Sequence, residues 1–248
     1  MKINMEILNI LKEVNEQCWF NEDYIISRHK SNLAIKYCPG EKIFPREFGI
    51  HSLSSFIKLL SCYKDVEIDF EKDDMIISDK NSPSCITYRT SPKHVMEDKI
   101  KSDKKSELIL EACDSLIDSP DGKFIHFKMD QSLIDNIKKI SGILVSKEKR
   151  AKLSFFKNVD DKDITVSLIG GDNSFRKYIK ILDDSTKNGA VNSTIYIDKM
   201  ISFDWDCYIF FDKTTKDKGV PIPINDMLLY LKNEKNFLKK MIPFNKKK

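Results

Sequence analysis

The second half of this 248-residue chain repeats the order of elements of the first, and that repeat constrains the fold more than any single motif. A helical period over residues 3–17 puts Ile3, Ile7, Ile10, Leu11 and Val14 on one face, with Asn9, Lys12 and Glu16 opposite. Short apolar or alternating runs at 24–28 and 32–37 read as strands. A second helix, over 51–63, spaces Leu53, Phe56, Ile57 and Leu60 at i, i+3, i+4 and i+7, and strands follow at 65–70, 74–79 and 85–90. The second half opens on a strand at 123–129. A helix started by Asp130 comes next, with Leu133, Ile134, Ile137 and Ile140 inward and Gly142 near its end. Strands at 151–157, 163–168 and 176–182, a short helix-like element at 197–201, and strands at 206–211, 220–224 and 227–232 complete it. The repeat lies in element order, not in residue identity, so the expectation is an α+β chain of two similar domains.

Between the halves, residues 91–107 are the most charged internal stretch and read as a linker. Residues 107–117 fit a helix and a strand equally, and Ser119-Pro120-Asp121-Gly122 is a turn. The resulting division is a first domain over 1–95, a connector over 96–122, a second domain over 123–235 and a basic C-terminal tail over 236–248.

Charge has to be read by region. The chain carries 42 Lys+Arg against 38 Asp+Glu, a formal +4. Seven lysines and one acid between 232 and 248 make that segment +6, which leaves the first 231 residues at −2. A polyanion would therefore have to be met by a local patch and not by a global field. No apolar run approaches the roughly 18–20 residues of a membrane span. The acids interspersed in the first 17 residues argue against a secretory signal, so an intracellular, non-secreted protein is expected.

The residue types that carry catalysis are present but scattered. The six cysteines are spaced by 20 or more residues without a C-x-x-C, which favours reduced core thiols over disulfides and excludes close zinc-ligand pairs. His29, His51, His94 and His126 stand alone, and neither a phosphate-binding G-x-x-x-x-G-K-[ST] loop nor a G-x-S-x-G elbow occurs. Asp204 and Asp206 flank Trp205 just before a strand, where such acids are more often solvated than catalytic. We expect no enzyme, no metal and no cofactor.

What remains is lysine on helices. Lys12, Lys58, Lys138 and Lys139 lie on the polar sides of amphipathic helices. Lys64, Lys147, Lys149 and Arg150 follow helices directly, and Lys199 sits in the short fourth one. These residues form either a solvated face or a surface turned toward phosphates. Lysine suits the second role because a long flexible stem neutralises phosphate without reading bases. Aromatic residues for stacking single strands are missing from these helices, which argues against a single-strand partner.

Several strings, in order, resemble the sliding clamps of T-even-like bacteriophages, the processivity factors of DNA polymerase. They are Phe48-Gly49-Ile50-His51-Ser52-Leu53 running into Phe56-Ile57-Lys58-Leu59-Leu60-Ser61, then Val66-Glu67-Ile68 and Met75-Ile76-Ile77-Ser78-Asp79. In the second half they are Leu133 with Ile137, Lys138 and Gly142, then Tyr208-Ile209-Phe210-Phe211 and Leu228-Leu229-Tyr230-Leu231. The resemblance spans about residues 1–232. It implies duplicated DNA-clamp domains, each with two helices on antiparallel sheet, assembled as a homotrimeric closed ring. Helix lysines would face an encircled duplex and edge strands would pair across subunits. The implied partners are DNA polymerase, a clamp loader and a late-transcription factor, in the host cytoplasm. The connector is longer and more charged than the family's, so groove residues cannot be transferred one by one. The tail is without a counterpart there. Two expectations stand for it: a disordered solubilising end, or docking of Phe237, Leu238, Met241 and Phe244 on a neighbouring surface, with the lysines touching DNA as it enters the ring. A rival reading is a non-catalytic nucleic-acid-binding protein that acts through the tail.

Overall fold

The computed structural model describes residues 5–29, 33–144, 151–170, 173–186, 189–211, 215–217, 220–222 and 228–245. The chain divides into two compact units, Met1–Glu107 with Lys235–Leu238, and Leu108–Glu234 with Lys239–Lys248.

In the first unit, α1 (Met5–Val14) buries Ile7, Leu8, Ile10, Leu11 and Val14. Glu6 in its first turn and Lys12 in its last suit the helix dipole. Strands β1 (Cys18–Phe20), β2 (Ile25–Arg28), β3 (Ala34–Tyr37) and β4 (Phe48–Ile50) form an antiparallel sheet in the order β3-β2-β1-β4. Helix α2 (Leu53–Leu60) packs beside α1. Its N-cap is Ser52, whose Oγ accepts from the Ser55 N–H at 3.2 Å. The Glu16 carboxylate accepts from the Ser54 hydroxyl at 2.5 Å and the Ser54 N–H at 2.8 Å, which holds it below the usual carboxylate range. A second antiparallel sheet is built from β5 (Val66–Glu71), β6 (Asp74–Asp79) and β7 (Ser82–Arg89), with β6 in the middle. Phe20 stacks on Phe48 at 4.7 Å and meets Phe44 edge-on at 5.3 Å, so this core is largely aromatic. Gly49 sits where backbones close in: a Cβ there would lie 2.9 Å from Met96 Cγ and 3.1 Å from the Ser91 carbonyl.

The expected linker is a helix. α3 (Glu97–Asp118) runs for 22 residues and takes in most of the stretch read as connector, and the division between the units falls inside it at 107/108. Its charge hid it, because the buried positions of its first half are polar. Asp103 and Ser106 are only 4% and 1% exposed. They are held by ion pairs and hydrogen bonds in place of an aliphatic stripe: Lys99 pairs with Asp103, Arg28 donates to Ser102, and Glu107 accepts from Lys36 at 2.7 Å and from the Tyr24 hydroxyl at 2.6 Å. The second half buries Leu110, Ala112 and Cys113 in the second unit.

That unit continues with β8 (Phe124–Met129), α4 (Gln131–Leu144), β9 (Lys152–Lys157), β10 (Asp163–Gly170), β11 (Asn173–Asp184), β12 (Val191–Tyr196) and β13 (Trp205–Phe210). A short hairpin of β14 (Thr215–Asp217) and β15 (Val220–Ile222) precedes β16 (Leu228–Asn233) and β17 (Leu238–Pro243). Its main sheet runs β12-β9-β10-β11-β8-β13-β16-β17. A register shift between Ile181 and Asp183 lets the end of β11 pair with β8. The element at 197–201 is a single 3-10 turn, Ile197–Lys199, and not a fourth helix.

The basic tail is also corrected. Residues 238–243 form β17, with Leu238, Lys240, Met241 and Ile242 buried. Phe244 then meets Phe155 at 6.1 Å, and the Asn245 N–H donates to the Thr194 carbonyl at 2.7 Å. Leu238 and Met241 are buried and Phe244 meets Phe155, whereas Phe237 is half exposed, so the packing part of the docking expectation describes three of its four residues.

Candidate nucleic-acid interface

Each helix presents lysine because its other side is committed to the core. In α2, Leu53, Phe56 and Leu60 are buried, which turns Lys58 outward in the last turn. Lys12 occupies the last turn of the neighbouring α1 and is half-buried, and its charge helps to keep Glu16 ionised. Lys64 follows α2 and is exposed, while its N–H donates to Asp79 at 2.9 Å.

The second unit repeats the arrangement with one helix and one turn. Asp130 caps α4, accepting from the Leu133 N–H at 2.7 Å, and its carboxyl is held below the usual range, first by the Ser132 hydroxyl. Asp204 accepts from the Gln131 N–H at 2.8 Å, while Asp206 pairs with His126 at 2.7 Å. The two acids that flank Trp205 thus serve different neighbours and form no paired-carboxylate site. With Ile134 and Ile137 buried, Lys138 is half-buried and Lys139 exposed. Helix α4 packs on β10, β11 and the turn that carries Lys199. The Lys199 ammonium lies 5.6 Å from the centre of the Tyr196 ring.

Lys12, Lys58 and Lys64 therefore gather around one helix pair, and Lys138, Lys139 and Lys199 around the α4 surface of the other unit. Lys147, Lys149 and Arg150 lie outside the described residues. Sequence reading missed two cations of the second unit. Lys152 sits 5.8 Å from the same Tyr196 ring, and exposed Lys177 is close enough to Asp130 to favour its charged form. Both are on strands, and a search confined to helix faces passes over them.

Pairing separates these lysines from a set of structural ones, though exposed Lys72, Lys104, Lys105, Lys162 and Lys180 are likewise without an ion pair among the described residues. Among the described residues, Lys12, Lys58, Lys64, Lys138 and Lys139 make no ion pair. By contrast Lys36, Lys99, Lys157 and Lys239 each hold a carboxylate, Glu107, Asp103, Asp184 and Asp114 respectively. Toward the C-terminus, Lys232 holds Glu234 at 3.0 Å, Lys239 holds Asp114 and Lys240 is buried, Lys235 is exposed, and Lys246, Lys247 and Lys248 lie outside the described residues.

Among the described residues no group of three or more His, Cys, Asp or Glu is placed to hold a metal, and no helix is long and apolar enough to cross a membrane. Burial pushes the thiols of Cys18, Cys113 and Cys207 above their ordinary range, which disfavours thiolate chemistry there.

No protein-family model matches the chain, and no curated protein matches it. Solved structures do. The chain is similar to PCNA of A. fulgidus, solved with the C-terminal region of FEN-1, at a TM-score of 0.59 and 8% identity over 98% of this chain and 95% of that one. It is similar to the DNA polymerase sliding clamp of Bacillus subtilis at 0.59 and 9% identity, over 99% of this chain and 64% of that longer one. The PCNA2–PCNA3 complex of Sulfolobus tokodaii matches at 0.57 and 13% identity, over 97% of this chain and 95% of that one. The chain thus covers slightly under two thirds of the bacterial clamp and nearly all of the archaeal ones. Its fold is the α+β sliding-clamp fold.

Proposed function

We propose that this protein is a DNA sliding clamp: it encircles duplex DNA and tethers the replicative polymerase, without catalytic chemistry of its own. The observation that carries the reading is the set of unpaired helix lysines, Lys12, Lys58, Lys138 and Lys139, repeated in both halves of a clamp fold. Ammonium groups without a protein carboxylate are free to exchange counterions with phosphate, and on flexible stems they do so without sequence preference. That is what a sliding contact needs. We count Lys64 and Lys199 in the same surface, and Lys147, Lys149 and Arg150 by their positions after α4.

Ring closure is part of the proposal. Three copies close head to tail, with β7 of one copy beside β11 of the next. Two open edges of matching length support this. β7 is the outer strand of its sheet and is 8 residues long. β11 pairs with β10 from Asn173 to Lys180, but with β8 only from Ile181 onward. Its first part therefore has one free edge among the described residues. Open edges of this length invite pairing, and closure within a ring removes them.

The ordered strings noted above lead us to assign the protein to a T-even-like bacteriophage. It would act in the host cytoplasm, be placed on DNA by an ATP-driven clamp loader, and serve a late-transcription factor as well as the polymerase. Lys239 and Lys240 are engaged within the protein, so the tail-driven alternative would rest on Lys246, Lys247 and Lys248. Light scattering tests the assembly. A mass three times the 28.8 kDa of the chain is expected, and a stable monomer would overturn the ring.

A further inference from the structure

The two units expose sheet faces of opposite character. In the first, the register of β5, β6 and β7 places Glu67, Asp69, Glu71 and Asp74 on one face. Arg89 on β7 and the Lys80 that pairs with Glu67 are the cations set against them. The aromatic residues of that sheet turn the other way, Phe70 to Phe48 and Tyr88 to Phe56. An acidic face of this kind repels nucleic acid.

The run β12-β9-β10-β11 of the second unit differs. Leu153, Phe155, Val166, Leu168 and Ile179 are buried on one side of it, so the residues between them form the other face. Register puts Phe156, Thr165 and Tyr178 in one row of that face. Phe156 is 40% and Tyr178 61% exposed. They stand two strand spacings apart, about 9–10 Å. Single exposed aromatics are ordinary, but two in one row with a threonine between them offer stacking surfaces side by side. Arg176 and Lys180 flank Tyr178 at i−2 and i+2 on the same face, each about 7 Å along the strand. Both are exposed, and neither makes an ion pair among the described residues. Lys152 on β9 adds a third cation, and Asp163, opposite Lys180, brings an acid. Beyond Asp163, the acids Asp161, Asp183 and Asp184 share a groove with Lys162 and Lys180, which turns a polyanion toward the Arg176 side.

Ring faces beside unpaired cations select single-stranded nucleic acid, because any unstacked base can lie on an aromatic ring while its phosphates meet the cations. A protein partner would instead seat apolar anchors in closed pockets. Beside Phe156 a cavity of about 260 Å3 is walled by Asn158, Asn192, Ser193 and Phe211 among others. Its amides and hydroxyl can meet the donors and acceptors of a base edge.

We propose that the exposed face of β12-β9-β10-β11 binds single-stranded nucleic acid, with one base on Phe156, another on Tyr178, and Arg176 and Lys180 on the phosphates. The test follows the anisotropy of a labelled oligothymidylate of about 12 nucleotides on the full-length protein, beside an abasic strand of equal length. Saturable binding of oligothymidylate is expected, with weaker binding of the abasic strand. Tyr178→Thr and Phe156→Thr should each weaken oligothymidylate by about 5- to 150-fold. Threonine keeps the strand preference, and thermal unfolding checks the fold of each variant. Arg176→Gln should lower the salt slope by about 0.7. The proposal is overturned if the abasic strand binds as well as oligothymidylate, or if both threonine variants unfold normally and bind unchanged. Poly-glutamate that displaces the strand at equal charge would make this an acidic-polypeptide site and overturn it too. A changed mass by light scattering in Tyr178→Thr would assign that ring to a subunit contact, with the same consequence. None of these readouts measures retention on circular duplex DNA, so this proposal and the clamp reading fail separately.

Discussion

Lys157 and Lys139 are the same residue in opposite circumstances. The Lys157 side chain is fully buried, with its ammonium 3.1 Å from the carbonyls of Asn158, Val159 and Gly189 and 3.1 Å from the Asp184 carboxylate. Lys139 is exposed on α4 and pairs with no carboxylate among the described residues. The first cation is a structural part, a charge whose burial is tolerable only because four oxygens surround it. The second is available. Net charge counts the two equally, which is why +4 says so little about what the protein binds. The paired–unpaired distinction carries the functional reading, and it can be attacked from both sides.

The largest effect is expected at Lys157. Replacing it with Met leaves Asp184 and three carbonyls without their cation and should cost about 3–5 kcal/mol in urea unfolding. A loss below about 1 kcal/mol would mean that burial does not distinguish the two sets. Next comes Asp103, the carboxylate counterpart. Its folded pKa of about 6 stands above the roughly 3.9 of an unfolded aspartate, so the folded state binds the proton more tightly. The resulting stability is fully present below about pH 4 and is lost as pH rises through 6, a span of up to about 3 kcal/mol. Unfolding measured across pH 4–8 should show this rise toward acid, and Asp103→Asn should flatten it.

Smaller still is the cap of α2. Ser52→Ala removes the acceptor for the Ser55 N–H and is expected to cost about 1 kcal/mol, read by thermal unfolding. At the bottom of the stability scale lie the helix lysines. Lys58→Ala, Lys138→Ala and Lys139→Ala together should leave the unfolding free energy within about 0.5 kcal/mol per site. Retention on DNA should nevertheless weaken, and the salt slope should fall by up to about 0.9 for each lysine engaged. Unchanged retention would return these residues to an ordinary solvated face.

How far the sequence could be read follows the same division. Helices α1, α2 and α4 were legible because their buried residues are aliphatic or aromatic at a 3.6-residue spacing. Strands such as β6 and β8 were legible by alternation. Helix α3 was not, since Lys99, Ser102, Asp103 and Ser106 make its contacts through charge and hydroxyl groups, and such a pattern looks solvated. β17 was missed for a related reason: Lys239 and Lys240 suggested a solvated end, whereas one pairs with Asp114 and the other is buried. Strand Cys18–Phe20 carries too few residues to show a period, and in Val191–Tyr196 the polar run Asn192, Ser193 and Thr194 between buried Val191 and Ile195 hides the alternation. For the candidate interface, helix position was readable from spacing. Pairing was not, because the partners of Lys36 and Lys239 lie 71 and 125 residues away in sequence. The fourth lysine-bearing helix reduced to one turn, and Lys152 and Lys177 joined from strands.

The central claim is that the protein holds DNA by enclosing it and not by affinity. The most direct measurement loads the labelled protein onto nicked circular DNA with a matching clamp loader, then cuts the circle once with a restriction enzyme. The clamp account expects the protein to stay on the circle and to leave within the time needed to slide off the new ends. Equal retention before and after the cut would contradict it.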